Sequence, residues 1–474
     1  MPEVRHDSGE EGSRSEMKAP PLLLIGLLAP GFSFASPQSM LEVQSAVQQR
    51  IGKRIELRHD AGADEEIAAA VRALLRGTMT ADRAVQIALL NNRELQAMFE
   101  EIGIARADLT EAGLLKNPVF DASAKFPDRP PSATKLDFGI VQDFLDLLMI
   151  PLRKKVAARE LARTELRVAD AVLKLAAEVK TAFYNLQGKQ MLFTRLSVLG
   201  DTNAAALELT QRQHEAGNIS DLDLANQQST YSQTRLDAAQ VAAEMRTDRE
   251  KLNRLLGVWG ADTQWKIADE LPPIPGKSFA TDRLESLAIA QRLDLAAAKT
   301  EIAALVQSLG LTKTYRYVGA IEFGVSSERD TDRQRLTGPN LKLELPIFNQ
   351  GQGRIAKFEA QLRQAERRLE ALAIEIRSDV REARDRMLAK EDLAIYSRDE
   401  LVPDRKRVLD LTLTSYNSML KGPYDLLLAR QNELAAERGY IEALRDYWIA
   451  RADLERAAGG NLTSSRSKET KNNK

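Results

Sequence analysis

The residue types that usually carry chemistry are scarce in this chain of 474 residues, and they are scattered. It has no Cys and three His, at positions 6, 59 and 214. The lack of Cys excludes disulfides, thiolate metal sites and Cys nucleophiles. Three distant histidines make no acid–base or metal cluster, and His214, alone at a helix end, reads as a surface residue. No Ser/His/Asp constellation, Walker loop or dinucleotide Gly motif is present, so neither catalysis nor a cofactor is expected. The formal charge of −1, with 28% charged residues, lacks the basic excess of a nucleic-acid binder. Two sets of charged residues do stand in definite patterns. Asp121, Lys125, Asp137, Glu322, Lys342 and Glu344 alternate with apolar residues at period two, which suits a wet surface backed by a greasy one. Asp223 and Asp425 stand in the first turn of helical patterns, where a carboxylate caps N–H groups and favours the helix dipole. Asp223 follows Ser220 by three, the spacing of a capping box.

The elements that hold these residues come in a fixed order. A helix from Thr80 precedes a strand pair at 119–126 and 135–146, each strand amphipathic and about the ~10 residues of a tilted membrane-spanning strand. Pro151 opens a helix over 151–215, about 90 Å long at 1.5 Å per residue, in which Gly188 and Gly200 are candidate bends. It turns at Gly217, a left-handed position, and returns over 221–256. After a linker at 264–279 the order repeats: a helix, strands at 315–326 and 337–347, and helices at 351–417 and 423–458. Pro403 is expected to interrupt the first of these helices. From Ile355 the apolar positions follow heptad spacing, so the helix requires partner helices. The halves also match residue by residue. REKLNRLLG from Arg249 falls on RADLERAAG from Arg451, and Leu222, Leu224, Ala225 and Gln227 fall on Leu426, Leu428, Ala429 and Gln431. The domains expected are a leader and signal peptide (1–35), an N-terminal segment (36–78), a first repeat (79–263), the linker, a second repeat (280–460) and a disordered tail (461–474).

The leader carries an address. Met17-Lys18, the apolar run 22–34 and the small residues at Ser33 and Ala35 make a signal peptide, with Met17 as the start and Ala35 as the last residue removed. Segment 36–78 is poorly patterned and expected to be peripheral and partly mobile. Two strand pairs cannot close a barrel, since single-chain barrels begin at about 8 strands, and open edges are not tolerated in a bilayer. Membrane strands here therefore require several chains to share one barrel.

The combination resembles the outer membrane factors of tripartite efflux systems, the TolC-like family, over residues 79–460. The pieces that carry the resemblance are ALLNNRELQ…GLLKNP, RQHEAGNISDLDLANQ, GP-x-L-x-LELPIFNQGQGR and SYNSMLKGPYDLLLARQ…YIEALRDYWIARADLE. The last two look most like the heavy-metal-efflux branch. The resemblance implies a mainly α fold with a membrane β-barrel: a homotrimer with four strands per chain in a 12-stranded barrel and long antiparallel helical hairpins in a periplasmic α-barrel. It implies an outer-membrane location, lipid around the barrel, a periplasmic adaptor and an inner-membrane pump of the resistance-nodulation-division type. Asp223 and Asp425 match acidic residues of the closed aperture, Tyr416 a gate tyrosine and Lys421 its basic partner. Gly217, Leu222 and Gly422 match adaptor contacts, and Asp121, Lys125, Asp137, Glu322, Lys342 and Glu344 the pore wall, where Glu322 and Glu344 could meet across strands. The chain departs from the family in two places. No Cys follows the leader, so none can be acylated, and Met419 stands where the second turn usually has Gly, leaving Gly422-Pro423 to make the turn. A soluble periplasmic coiled-coil adaptor or scaffold is the alternative; it accounts for the helices and signal peptide but not for four two-faced strands.

Overall fold

A computed structural model describes residues 37–56, 61–126, 128, 133–275 and 283–462. The expected leader, nearly all of the tail and the end of the linker lie outside the described residues. The helices are α1 (Pro37–Ile51), α2 (Ala61–Leu75), α3 (Ala81–Asn91), α4 (Arg93–Glu111), α5 (Leu145–Glu215), α6 (Asp221–Leu256), α7 (Leu284–Gln291), α8 (Leu293–Thr314), α9 (Gln352–Tyr396), α10 (Val402–Asn417) and α11 (Pro423–Ala457). The strands are β1 (Thr78–Met79), β2 (Val119–Lys125), β3 (Lys135–Asp143), β4 (Lys266–Ile267), β5 (Ile321–Arg329) and β6 (Arg335–Leu343). β1 and β4 form a small parallel pair, and the other four form one antiparallel sheet in the order β2-β3-β5-β6. No described helix is long and apolar enough to cross a membrane.

α5 runs 71 residues, about 105 Å at 1.5 Å per residue. It starts at Leu145, not at Pro151, which lies inside it. The early start has a local cause. Asp143 Oδ1 accepts the Asp146 N–H, and the buried Asp146 carboxylate receives Arg153 Nη1 at 2.8 Å and the Lys116 N–H at 3.2 Å. This network holds the first turn although the Pro151 ring removes one helical hydrogen bond. Gly188 does not break α5: a Cβ there would lie 3.0 Å from Arg445 on α11, so the glycine permits a close helix crossing. The long second-repeat helix is interrupted where Pro403 predicts. A π-helical turn at Ser397–Leu401 separates α9 from α10, absorbing the donor that Pro403 lacks.

The strand boundaries differ from the expected ones. β5 begins at Ile321, with Tyr315 and Tyr317 in a turn before it, and β6 ends at Leu343, leaving Leu345 and Ile347 beyond it. The alternation over 315–319 is interrupted by Gly319, whose hydrogen faces the Glu344 backbone too closely for any side chain. Pro339 sits inside β6, the last strand of this chain's sheet, where its missing N–H removes at most one ladder bond on the outer side.

The core collects where the short helices meet the long ones. Val168, Val172, Val179, Phe183 and Leu186 of α5 are buried against Ile87 and Leu89 of α3, Leu252 and Leu256 of α6, and Val43 and Val47 of α1. Segment 36–78 is thus not peripheral where α1 packs: Val43 and Val47 point into the main core at a four-residue helical spacing. A second cluster joins α7, α8, α9 and α11 around Ala288, Leu295, Ile376, Val380, Met387 and Leu454. Away from these clusters the hairpins thin out. α10 has no buried residue, and Leu209, Leu236, Leu393, Val408 and Leu411 are exposed on the rods.

The repeat is visible as two matching collars. In the first, Asn91 and Asn92 break α3 from α4, and Asn92 caps α4 by accepting the Leu95 N–H at 2.9 Å. Asn91 Nδ2 donates to the Leu256 and Gly257 carbonyls at 2.9 and 2.7 Å, closing the end of α6. In the second, Gln291 and Arg292 break α7 from α8 and lie against Gly459 after α11. Gly257 and Gly459 both have positive φ, +67° and +84°.

Candidate functional site

Successive residues of a strand face opposite sides of its sheet, so the register sorts the strands into two faces. One carries Phe120, Phe138, Ile140, Phe323, Val325, Leu341 and Leu343. Phe120 and Phe138 stack at 6.5 Å, and Phe144 meets Phe323 edge-on at 6.0 Å. All of these apolar side chains are exposed, an arrangement that water penalises at about 25 cal/mol per Å². The opposite face carries Asp121, Lys125, Asp137, Glu322 and Lys342, with Glu344 one position past β6. Lys125 lies 3.8 Å from Asp137, and Lys342 lies 3.2 Å from Glu322. Ser123 Oγ donates to Asp137 at 2.9 Å. Glu344 instead accepts the Ala320 N–H at 3.2 Å, so Glu322 and Glu344 serve different partners and do not meet. Gly324 lies on this polar face, where a Cβ would collide with Asn340 and the Ile140 carbonyl. Such crowding marks the inside of a curled sheet.

The other candidate residues gather at the far ends of the rods. α5 ends with the Gly217 N–H on His214 O at 2.8 Å and the Asn218 N–H on Gln213 O at 2.9 Å, Gly217 being left-handed at φ +72°. Ser220 Oγ donates to Asp223 Oδ2 at 2.7 Å and accepts the Asp223 N–H at 3.2 Å, a full capping box. His214 Nε2 is 2.6 Å from Asp221 Oδ1. α10 ends in the same way, with the Met419 N–H on Tyr416 O and the Leu420 N–H on Ser415 O, both at 2.9 Å. Here the left-handed residue is Met419, at φ +58°. Gly422 is extended, at φ −83°, and is the N-cap of α11, donating its N–H to Asp425 Oδ2 at 3.2 Å. The expectation that Gly422-Pro423 supplies the turn is therefore corrected: Met419 holds the strained position itself. Lys421 Nζ reaches Asp425 Oδ1 at 3.4 Å. Leu222, Met419, Leu420 and Tyr424 are exposed.

These matches also correct the alignment of the halves. Gly217 with Met419, Ser220 with Gly422, and Asp223 with Asp425 are each 202 positions apart, as are Gly257 and Gly459. The Leu222–Leu426 pairing is off by two, and buried Gln227 corresponds to buried Ala429. The 202-residue spacing of Arg249 and Arg451, carried back through the hairpin, is the signal that would have fixed it. The collar contacts have no signal in the local sequence pattern, since Asn91 and Gly257 lie 166 residues apart.

Among the described residues no three His, Cys, Asp or Glu side chains gather as a metal site. A four-stranded sheet with a greasy face, a charged face and open edges, mounted on helices of this length, defines a membrane channel subunit with a helical extension. The chain belongs to the outer membrane efflux protein family, which matches residues 84–258 and 284–460. Comparison with curated protein sequences gives no match. Among solved structures, a membrane protein from Pseudomonas aeruginosa is similar at TM-score 0.68 and 21% identity, covering 80% of this chain and 92% of that one. CusC, described for conformational changes accompanying folding and transmembrane channel formation, is similar at 0.67 and 17%, with 80% and 92% covered. The CmeC outer membrane channel of Campylobacter jejuni is similar at 0.69 and 15%, with 83% and 89% covered. The protein is an outer-membrane efflux channel with a periplasmic helical extension.

Proposed function

We propose that three copies of this chain close a 12-stranded barrel and a helical tube beneath it. In this reading the assembly is a passive exit duct for a periplasmic adaptor and an inner-membrane pump of the resistance-nodulation-division type. The observation that carries this is the two-faced sheet in the order β2-β3-β5-β6 with both edges open. Four strands cannot close alone, and a bilayer tolerates no unpaired edge. Copies joined β6 to β2 satisfy both edges, place the Phe120–Leu343 face toward lipid, and line the lumen with Asp121, Lys125, Asp137, Glu322, Lys342 and Glu344. The exposed apolar residues on the rods find their partners in neighbouring copies.

At the tips, three copies each of Asp223 and Asp425 ring the aperture, and an acidic ring attracts cations. Tyr416 and Lys421 complete the closing links, while Gly217, Leu222 and Gly422 meet the adaptor. Heavy-metal cations are the cargo this reading favours. Detergent extraction should yield a heat-sensitive trimer that conducts in planar bilayers, and Asp223→Asn with Asp425→Asn should raise that conductance severalfold. Recovery from the soluble periplasm without detergent would remove the duct. Loss of the gene without a change in sensitivity to copper, zinc, cobalt or cadmium would remove the metal cargo and leave the duct.

A further inference from the structure

Two pairs of like charges face each other at the end of the sheet farthest from the helices. Lys125 stands opposite Lys135 on the polar face, and Arg329 stands opposite Arg335 on the apolar face. Like charges directly across a ladder destabilise it unless something neutralises them. The polar-face pair is neutralised from within: Lys125 lies near Asp137, and Lys135 pairs with Glu328. The apolar-face pair is not. The nearby acids are committed elsewhere: Glu328 to Lys135, Asp330 Oδ1 to the Thr331 N–H at 2.7 Å and Asp332 Oδ1 to the Gln334 N–H at 2.9 Å. Among the described residues no carboxylate lies within ion-pair distance of either guanidinium, and both arginines are exposed.

Their height on the face says what neutralises them. Going outward, the rungs are Ile321–Leu343, Phe323–Leu341 and Val325–Pro339, then Ser327–Thr337 with hydroxyls 3.0 Å apart, then Arg329–Arg335. Greasy rungs thus give way to a hydroxyl rung and then to a guanidinium rung. Arg329 lies four residue steps beyond Val325, about 13 Å along a strand and about 10 Å in height at the usual tilt. That sets the guanidinium groups at the upper rim of the apolar band, level with Leu136 of β3, where the headgroup layer begins. An arginine pair forms a fork for a phosphate, bidentate and stronger than a point charge.

We propose that Arg329 and Arg335 clamp the phosphate of a glycolipid headgroup in the outer leaflet, whose acyl chains lie on the Phe138, Ile140 and Val325 face below. A free anion would meet only the two guanidinium groups in water. A lipid is held at both ends, which is why the apolar face commits the site to lipid. The proposal rests on the reading of that face as the lipid-facing side of an outer-membrane barrel.

The test is retention of diphosphoryl lipid A by the purified full-length oligomer in neutral detergent, read by native mass spectrometry and thermal shift. The wild type should retain the lipid and gain thermal stability. Arg329→Gln with Arg335→Gln should weaken retention at least tenfold, Arg329→Lys with Arg335→Lys should fall between, and Arg405→Gln, on the exposed face of α10, should match the wild type. Dephosphorylated lipid A and inorganic phosphate should neither be retained nor stabilise the protein. Undiminished retention by the Gln variant, equal retention of the dephosphorylated lipid, or equal protection by inorganic phosphate overturns the clamp. Should the Gln variant fail to assemble, the wild type is titrated with salt, and retention that does not fall overturns it as well. Conductance on the same sample separates the outcomes: a conducting oligomer without lipid retention loses the clamp and keeps the channel, whereas a sample that never conducts loses the channel reading itself.

Discussion

The two halves of the molecule build the same backbone twice and furnish it differently. At the first tip the left-handed residue is Gly217, the cap is the Ser220 hydroxyl, and the carboxylate behind it is Asp223. At the second tip those positions hold Met419, Gly422 and Asp425. The first satisfies its turn with side chains suited to it. The second forces a long side chain into a left-handed conformation, gives up a cap hydroxyl, and presents Met419 and Leu420 to solvent at 94% and 78% exposure. At the collars the contrast recurs. The first is closed by Asn91 and Asn92 amides reaching the end of α6, the second by backbone apposition at Gly459 and by the Arg50 guanidinium of α1 donating to the Gln291 carbonyl. Geometry has been kept while side chains have diverged, so the first half carries tighter local satisfaction and the second a stickier tip.

The collars offer the largest break in that comparison. Gly257 has φ +67°, and a Cβ there would sink into the Asn91 carbonyl oxygen, whereas at Gly459 the nearest atom would be 3.1 Å away, at Arg292 N. A left-handed Ala costs about 1–2 kcal/mol, and overpacking adds about 1–3. Gly257→Ala is therefore expected to lose about 3 kcal/mol or more and Gly459→Ala about 1–2 kcal/mol, measured by denaturation of the purified protein. Equal losses would mean that the two collars are equally tight.

A second difference is that α1 packs on the first half through Val43 and Val47 beside a buried acid, Glu165. Burial raises the Glu165 carboxyl to about 7, with Glu42 adding to the rise and Arg106 opposing it. Between the ordinary carboxylate range and pH 7 the folded chain keeps a proton that the unfolded chain has released. Stability therefore falls as pH rises through that window and levels off above it. Glu165→Gln should leave stability at pH 5 nearly unchanged and raise it at pH 8 by on the order of 2 kcal/mol, a value reduced for partial solvent access. An equal effect at both pH values would show that the carboxyl is not held protonated.

Much of the fold was legible because long regular elements have long regular periods. Period-two alternation sets Asp121, Lys125, Asp137, Glu322 and Lys342 on one face regardless of where each strand ends. Its limits were not legible, since Gly319 and Pro339 act through what stands beside them in space. The start of α5 depended on Asp146 meeting Lys116, thirty residues earlier. The Asn91–Gly257 contact spans 166 residues, and no local pattern announces such a partner. Met419 was hidden for a different reason. Propensity puts Gly at a left-handed turn, so the nearby Gly422 drew the turn toward itself, while the hairpin register had already assigned the position to Met419.

The finest test of the comparison exchanges the tips. Gly217→Met should cost about 1–2 kcal/mol, the penalty of a left-handed side chain. Met419→Gly should return less than that, because glycine gains about 0.5–1 kcal/mol of freedom in the unfolded chain. Ser220→Ala should cost about 1 kcal/mol, as loss of an N-cap does, and Gly422→Ser should gain only a few tenths, since Gly already caps nearly as well. The signs matter more than the sizes. If the tips differ only in how well they fold, Met419→Gly and Gly422→Ser together give a more stable protein with unchanged conductance and adaptor capture. If the strained, exposed Met419 is kept for contact, the same double change stabilises the chain and weakens capture of the proposed adaptor. A second tip that is neither stabilised nor impaired by the exchange would remove the contrast between the halves at that end of the molecule.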